Sequence, residues 1–536
     1  MVHPRPRRVL AAAVAAATLS LFAPLAAAQT LGVSFPFNIS NTISDHAVLQ
    51  RAPQSSVVWG FGKQFAPISV TLLQGNGSNP NGGSNFVSGW VSSLGVWRLT
   101  LSPMPAGGPY TIVGNSSSTN ESFVVSDIFF GDVIVCGGQS NMAFGLSSTY
   151  NATAEIAAAA NRPLIRIMSS AYSAQNVSQL QLVWEYALTN GWEVATPDNV
   201  RYFSAVCYLT AASAYDALGG AVPFGLIDTS VGGTAIQLWF PPEHFNDCAG
   251  VMQPWDVFPP PWTPSCWWNG MTAPLTFGPT QISSFLWDQA ENNVGEPAMY
   301  ECSFPMLIRA WREAFRNPTA PFVFVQLPAY VRQNDTALAE TREAQLTAAD
   351  TVPGVGFACT ADDGNGNGDI HNPDKSVVGR RMGAVLRALA YNESGLPHLS
   401  PRYASALAAT AGGTATVTVS LGPEEALAGG PLVWVPPSFA SNGSWCPSDG
   451  LGRTVLNVSC AWFGVRLSDG SWRNASAAVS ADGRAIVLTV ADVGALTATA
   501  TSNGYGDFPV VNVYSADGFP VVPWTPRNIT ATPEAR

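Results

Sequence analysis

The sequence predicts an α/β domain built on a parallel sheet, held between two β-rich regions, on three observations. Nearly continuous apolar runs alternate with helical stretches between about residues 127 and 395, the pattern of strands buried on both faces by crossover helices. From Gln29 to about Ser126 short β-type runs alternate with turn signals, the texture of a small all-β domain. After Gly395-Leu396-Pro397 the chain becomes strand-rich and helix-poor again, to residue 536.

Within the first β region the runs are Ser56–Trp59, Ile68–Leu73, Gly95–Leu101 and Tyr110–Val113. The α/β domain opens with Ile128–Cys136, a run ending in Gly137-Gly138 that allows a tight turn into a helix. Ala221–Ile227 and Pro321–Gln326 read as further buried strands, and Ala154–Ala160, Phe304–Phe315 and Ala337–Ala349 as helices. In the last helix, Ser376–Tyr391, Val378, Met382, Val385, Leu386 and Leu389 fall on one face. Residues 241–280 form a long Trp/Pro-rich excursion of the kind that lines sites, where Trp255, Trp262, Trp267 and Trp268 either stack on sugar rings or pack inward. In the C-terminal region Thr414–Leu421 alternates strictly, followed by strand signals at Pro431–Val435, Ala485–Val490 and Val510–Tyr514.

Composition narrows the function. Of 536 residues 47% are hydrophobic and only 11% charged, with a net charge of −11, which excludes a disordered chain. The acidic balance, with no Lys/Arg cluster, argues against a nucleic-acid partner or an anionic membrane. Residues 1–28 read as a signal peptide: Arg5, Arg7 and Arg8 precede an apolar stretch from Val9 to Leu25, and Ala26–Ala28 offer a cleavage site before Gln29. No later run approaches the ~20 apolar residues of a membrane span. N-x-Ser/Thr sequons recur from Asn38 to Asn528, and all eight cysteines follow the leader. Together these predict a secreted, disulfide-bonded glycoprotein, with a lysosome or vacuole as the other destination. Cys248–Cys266 and Cys446–Cys460 are plausible local bridges among 105 connectivities.

Beyond the leader the chain holds four histidines: His46, His244, His371 and His398. Only His371 lies in a Gly-rich loop just before a helix of the α/β domain, where catalytic groups gather. Ser140, after the strand and glycine turn, is the candidate nucleophile, and a helix N-terminus there would place backbone N–H groups for an oxyanion. An N-cap role is the plain alternative for Ser140. Asp363, Asn365, Asn367 and Asp374 also fit the spacing of a calcium loop, with Asp in place of the closing Glu.

The segment GDVIVCGGQSNM (131–142) resembles the nucleophile segment of the sialate O-acetylesterase family, carbohydrate esterases among the SGNH (GDSL-like) hydrolases. Further segments fit in order: SDHAVLQRAPQSSVVWG (44–60), GGPYTI (107–112), IDTSVGGTAIQLW (227–239), WWNGMTAPL (267–275), FLWDQAENN (285–293) and GDIHNPDKSVVGRRM (368–382). The resemblance implies an SGNH-hydrolase three-layer domain over 127–395, with β domains over 29–126 and 396–536. It implies a secreted O-acetylesterase acting on an acetylated sugar or glycan, sialic acid foremost, through an acetyl-enzyme and without a cofactor. Ser140 would attack, His371 would take its proton, and Asp369 would orient the imidazole, with Asp362 and Asp363 as alternatives because Gly368 stands where the wider family pattern has Asp. The oxyanion donors implied are the Ser140 N–H, Gly232 or Gly233, and the side-chain amide of Gln289 or Asn293. Glu291 is expected to contact substrate or support the site, and Arg312 or Arg166 to meet a sialic-acid carboxylate. Esterases of neutral acetylated polysaccharide, such as xylan, and a non-catalytic carbohydrate-binding surface protein are the other readings.

Overall fold

The computed structural model describes residues 35–75, 86–170, 172–183, 188–251, 262–278, 281–330, 332, 336–365, 368–435, 454–455, 458–509 and 511–529. The expected signal peptide, Trp255, Cys446 and Asn367 lie outside the described residues.

Six parallel strands form the centre: β1 (Glu121–Gly138), β2 (Ile165–Ser169), β3 (Phe224–Asp228), β4 (Ser284–Asp288), β5 (Phe322–Gln326) and β6 (Val355–Cys359). Their order is β2-β3-β1-β4-β5-β6, with Glu193–Val194 antiparallel at the β2 edge. β2 to β5 are buried along their whole length, which is why they read as apolar runs rather than alternating ones. Helices α1 (Ala205–Ala217) and α4 (Lys375–Tyr391) cover one face and share a core with Ile134, Leu226 and Leu286. The other face is covered by α2 (Pro297–Ala314) and α3 (Ala337–Thr351), together with the Trp-rich excursion. This is the three-layer arrangement expected. Among the described residues no helix is long and apolar enough to cross a membrane.

The N-terminal β region is joined to this sheet more closely than a linker allows. β1 runs for 18 residues; its first half pairs antiparallel with Gly107–Ser116, and its second half is the middle of the parallel sheet. The boundary expected at 126/127 therefore falls inside one continuous strand. The C-terminal region forms two four-stranded antiparallel sheets around a common core that includes Val417, Val465 and Leu488. It is a separate β layer, as expected.

The Trp-rich excursion packs inward where it is described. Trp267 and Trp268 are buried, Trp268 lies 5.7 Å from Trp311 and Trp262 lies 5.7 Å from Trp267. Two disulfides are present among the described residues, Cys136–Cys207 and Cys248–Cys302. The expected Cys248–Cys266 bridge does not form: Cys266 is a buried free thiol, because the turn at Pro242–Cys248 lies against α2 and meets Cys302 there.

Candidate active site

In an open parallel sheet the crevice for a ligand opens at the carboxyl ends of the strands, where the strand order reverses. Here that point is the end of β1, flanked by β3 and β4. Ser140 follows β1 directly and is half-buried. Its approach is set by Gly138, whose φ of +141° and 2.1 Å clearance between a would-be Cβ and the Asp288 carbonyl exclude any side chain. The expected helix after Ser140 is absent. A single helical turn, closed by Ala143 N–H donating to the Gln139 carbonyl at 2.8 Å, leads through Gly145, which bridges to Ser204. A longer helix would conflict with that pairing.

Gly232, in the loop after β3, stands against Ser140: a Cβ there would lie 3.5 Å from the Ser140 Cβ. Gly233 has φ +73° and open space around it, the left-handed conformation that glycine adopts without strain. The loop is anchored by Asp228, whose Oδ1 accepts from the Ser230 N–H at 2.9 Å and the Ser230 hydroxyl at 2.6 Å. Burial pushes this carboxyl up to about 6, against the two hydrogen bonds that favour its charge. A carboxyl raised in the folded state keeps its proton while the unfolded chain loses it, so this contribution to stability is present below about pH 4 and lost as pH rises to about 6. Asp228→Asn retains the Oδ1 acceptor. Relative to wild type it is expected to gain on the order of 2 kcal/mol between pH 4 and pH 7, read as the difference in urea unfolding midpoints; an unchanged difference would contradict the assignment.

His371 reaches the same edge from the loop after β6. The other histidines among the described residues are engaged elsewhere: His46 with Asp127, His244 with Asp247, and His398 with the Leu396 carbonyl. Asn141, next to Ser140, donates from Nδ2 to the Ile370 carbonyl at 3.1 Å, and Tyr150 N–H donates to Pro373 at 3.2 Å. The Phe144 ring lies nearly parallel to the His371 imidazole, 6.3 Å between centres. The serine turn and the histidine loop are thus stitched together on both sides of His371.

Of the three candidate carboxylates, Asp369 alone meets the imidazole. Its Oδ1 lies 3.4 Å from His371 Nδ1, long for a hydrogen bond, and accepts the His371 backbone N–H at 2.7 Å. Asp362 is held by both Arg381 guanidinium nitrogens at 2.7 and 2.8 Å and by the Tyr514 hydroxyl. Asp363 accepts from Asn372 at 2.9 Å, and burial raises it to about 7. Among the described residues no group of three His, Cys, Asp or Glu is gathered to hold a metal.

Two expected roles are not met, and Glu291 takes the supporting one of the two expected of it. The Gln289 Nε2 faces three acceptors inside the core: Asn293 Oδ1 at 2.8 Å, the Thr234 carbonyl at 3.2 Å and Gln139 Oε1 at 3.3 Å. Asn293 Nδ2 donates to Gln237 and Glu296 at 3.0 and 3.1 Å. An amide has two hydrogens, so neither side chain is placed as an oxyanion donor; they bind the loops after β1, β3 and β4 to each other instead. Arg312 donates to the carbonyls of Ala320, Pro353 and Gly354, and Arg166 to Pro163 and Asp127. Both lie at the amino ends of the strands, across the sheet from Ser140, and neither can meet substrate there. Glu291 is buried rather than facing substrate, and its Oε1 accepts from Asn141 Nδ2.

Two features went unread in the sequence. Asn141 stands in the sequence only as part of GDVIVCGGQSNM, and its amide oxygen accepts from Lys375 Nζ at 2.6 Å. Lys375, the first residue of α4, is buried, with its ammonium 5.3 Å from the Phe144 ring. A lone lysine at a helix start carries no sequence signal of burial.

Residues 130–387 match the family described as "Carbohydrate esterase, sialic acid-specific acetylesterase". The human protein named "Sialate O-acetylesterase" is 32% identical over 417 residues, covering 72% of this chain and 76% of the human one. The rat protein of the same name is 30% identical over 429 residues, covering 69% and 76%. Among solved structures, a carbohydrate acetylesterase from Xanthomonas citri superimposes with a TM-score of 0.71 and 26% identity, covering 91% of this chain and 98% of its own.

Proposed function

Because the chain belongs to the sialate O-acetylesterase family of carbohydrate esterases, we infer that it is a carbohydrate O-acetylesterase whose nucleophile is Ser140. The observation that carries this reading is the position of Ser140 at the reversal of strand order, against Gly232 and tied through Asn141 to the His371 loop. In the reaction, His371 removes the Ser140 proton as the oxygen attacks the acetyl carbonyl, and returns it to the departing sugar hydroxyl. Water, activated by the same imidazole, then cleaves the acetyl-serine. The Ser140 and Gly232 or Gly233 backbone N–H groups receive the oxyanion.

Asp369 orients the imidazole. Because it is about half exposed, at 51%, and 3.4 Å from Nδ1, solvent shares its task, and Asp369→Asn is expected to lower kcat by about 10- to 100-fold, less than the ~10⁴ of a buried partner. A loss below twofold would leave the histidine as a member of a dyad.

The family favours O-acetylated sialic acid as substrate. A neutral acetylated polysaccharide is the second reading, favoured by the removal of Arg312 and Arg166 from the substrate edge. Acetate release from O-acetylated sialic acid and from acetylated xylan, compared as kcat/KM, tests this. A preference for the sialoside supports the first reading, a preference for xylan the second, and release from neither would contradict the esterase assignment.

We further propose export through the leader at 1–28, with cleavage before Gln29, to the medium rather than to a lysosome or vacuole. The disulfides Cys136–Cys207 and Cys248–Cys302 support an oxidising compartment.

A further inference from the structure

Between the serine turn and the histidine loop lies a buried polar cluster that the reaction as written does not use. It consists of Asn141, Glu291, Asp288 and Lys375, each buried. Burial of a lysine at the first turn of a helix is doubly unfavourable, since it loses water and faces the positive end of the helix dipole. Asp288, Glu291, Asp363 and Asp374 act on its charge from nearby, while burial together with the neighbouring Glu291 pushes Asp288 up to about 8.

The amide at the centre can point only one way. Lys375 Nζ can only donate, so it faces Asn141 Oδ1; the Ile370 carbonyl and the Glu291 carboxyl accept the two Nδ2 hydrogens. One side chain thereby joins the turn after β1, the loop after β4 and the loop before α4. Lys375 also lies against Phe144, whose other neighbour is the His371 ring. A displaced Ile370 carbonyl moves the backbone of the adjacent His371.

We propose that Asn141 is a positioning residue: its amide, oriented by Lys375 and Glu291, holds His371 in reach of Ser140. The proposal rests on the reading of Ser140 and His371 as the reacting pair. Asn141 and Glu291 touch no reacting atom, so their loss acts on kcat and leaves substrate affinity alone.

Asn141→Asp keeps the acceptor for Lys375 and removes both donors. It is expected to lower kcat by about 10²-fold, the cost of a misplacement near 1 Å, with KM within about threefold of wild type. A second pair covers the case in which this variant does not fold. Glu291→Gln keeps a carbonyl acceptor for Asn141 and is expected to stay within about threefold of wild-type kcat, whereas Glu291→Ala falls by about 10-fold or more. A structural contribution alone would move unfolding midpoints without this rescue. Wild-type kcat in Asn141→Asp would overturn the proposal, as would a Glu291→Gln as slow as Glu291→Ala. If Ser140→Ala is inactive while Asn141→Asp turns over normally, only the positioning role fails. If Ser140→Ala stays active, the reading of the site fails and takes the proposal with it.

Discussion

Alanine at His371 is expected to lower kcat for acetate release by about 10⁴-fold or more, with KM near wild type. The size follows from there being no substitute. Of the four histidines among the described residues, three are bound to partners elsewhere on the molecule. Lys375 and one oxygen of Glu291, the buried ionisable groups beside the site, are hydrogen-bonded to Asn141. Residual catalysis would come from the oxyanion donors and substrate binding alone. Steady-state acetate release by the purified variant measures it, and a loss below about tenfold would mean that another group takes the serine proton.

The largest effect on stability is expected at Arg342. Its guanidinium is buried in α3 and donates to four carbonyls: Leu327 and Pro328 at 2.8 Å, Asp507 at 3.0 Å and Gly506 at 3.1 Å. The first two belong to the loop after β5 and the others to the C-terminal β region, so one side chain fastens that region to the catalytic domain. Burial depresses its pKa to about 10, well above neutral pH, so the cation is retained. Arg342→Met keeps the stem and strands the four carbonyls without donors. It is expected to destabilise by about 4 kcal/mol, since hydrogen bonds to a charged group contribute roughly 1.5–3 kcal/mol each and their loss is only partly repaired by water. Urea unfolding followed by tryptophan fluorescence checks this, and a change under about 1 kcal/mol would mean that the interface is held by its other contacts.

What the sequence made legible, and what it did not, follows the physics of each element. Phe322–Gln326 was readable because a central parallel strand is apolar on both faces. Lys375–Tyr391 was readable because one face meets α1 and the sheet while the other meets water. Helix Ala205–Ala217 escaped because ten of its thirteen residues are buried, so it presents no apolar stripe. The start of α2 at Pro297 was hidden by Pro305 inside the helix. Val355–Cys359 escaped because Gly356 weakens the strand signal, yet a Cβ there would lie 2.5 Å from Val385.

The same division runs through the site. Ser140 and His371 stand out because glycines and loop position mark the carboxyl edge of a sheet. Gln289 and Asn293 have the right chemistry for oxyanion donors, but residue type does not reveal which acceptors an amide already faces. Arg312 reads as a free cation on a helix, whereas its place near the amino ends of the strands puts it among backbone carbonyls. Cys248 pairs with Cys302, 54 residues away, rather than with the nearer Cys266, because α2 folds back against the excursion.

The proposed function stands on Ser140 carrying the acetyl group between the sugar and water. Its most direct test is acetate release from O-acetylated sialic acid and acetylated xylan by wild type and by Ser140→Ala, with circular dichroism to confirm that the variant is folded. Wild type is expected to turn over at least one substrate, and folded Ser140→Ala to be slower by about 10⁴- to 10⁶-fold. Turnover by folded Ser140→Ala within tenfold of wild type would contradict it.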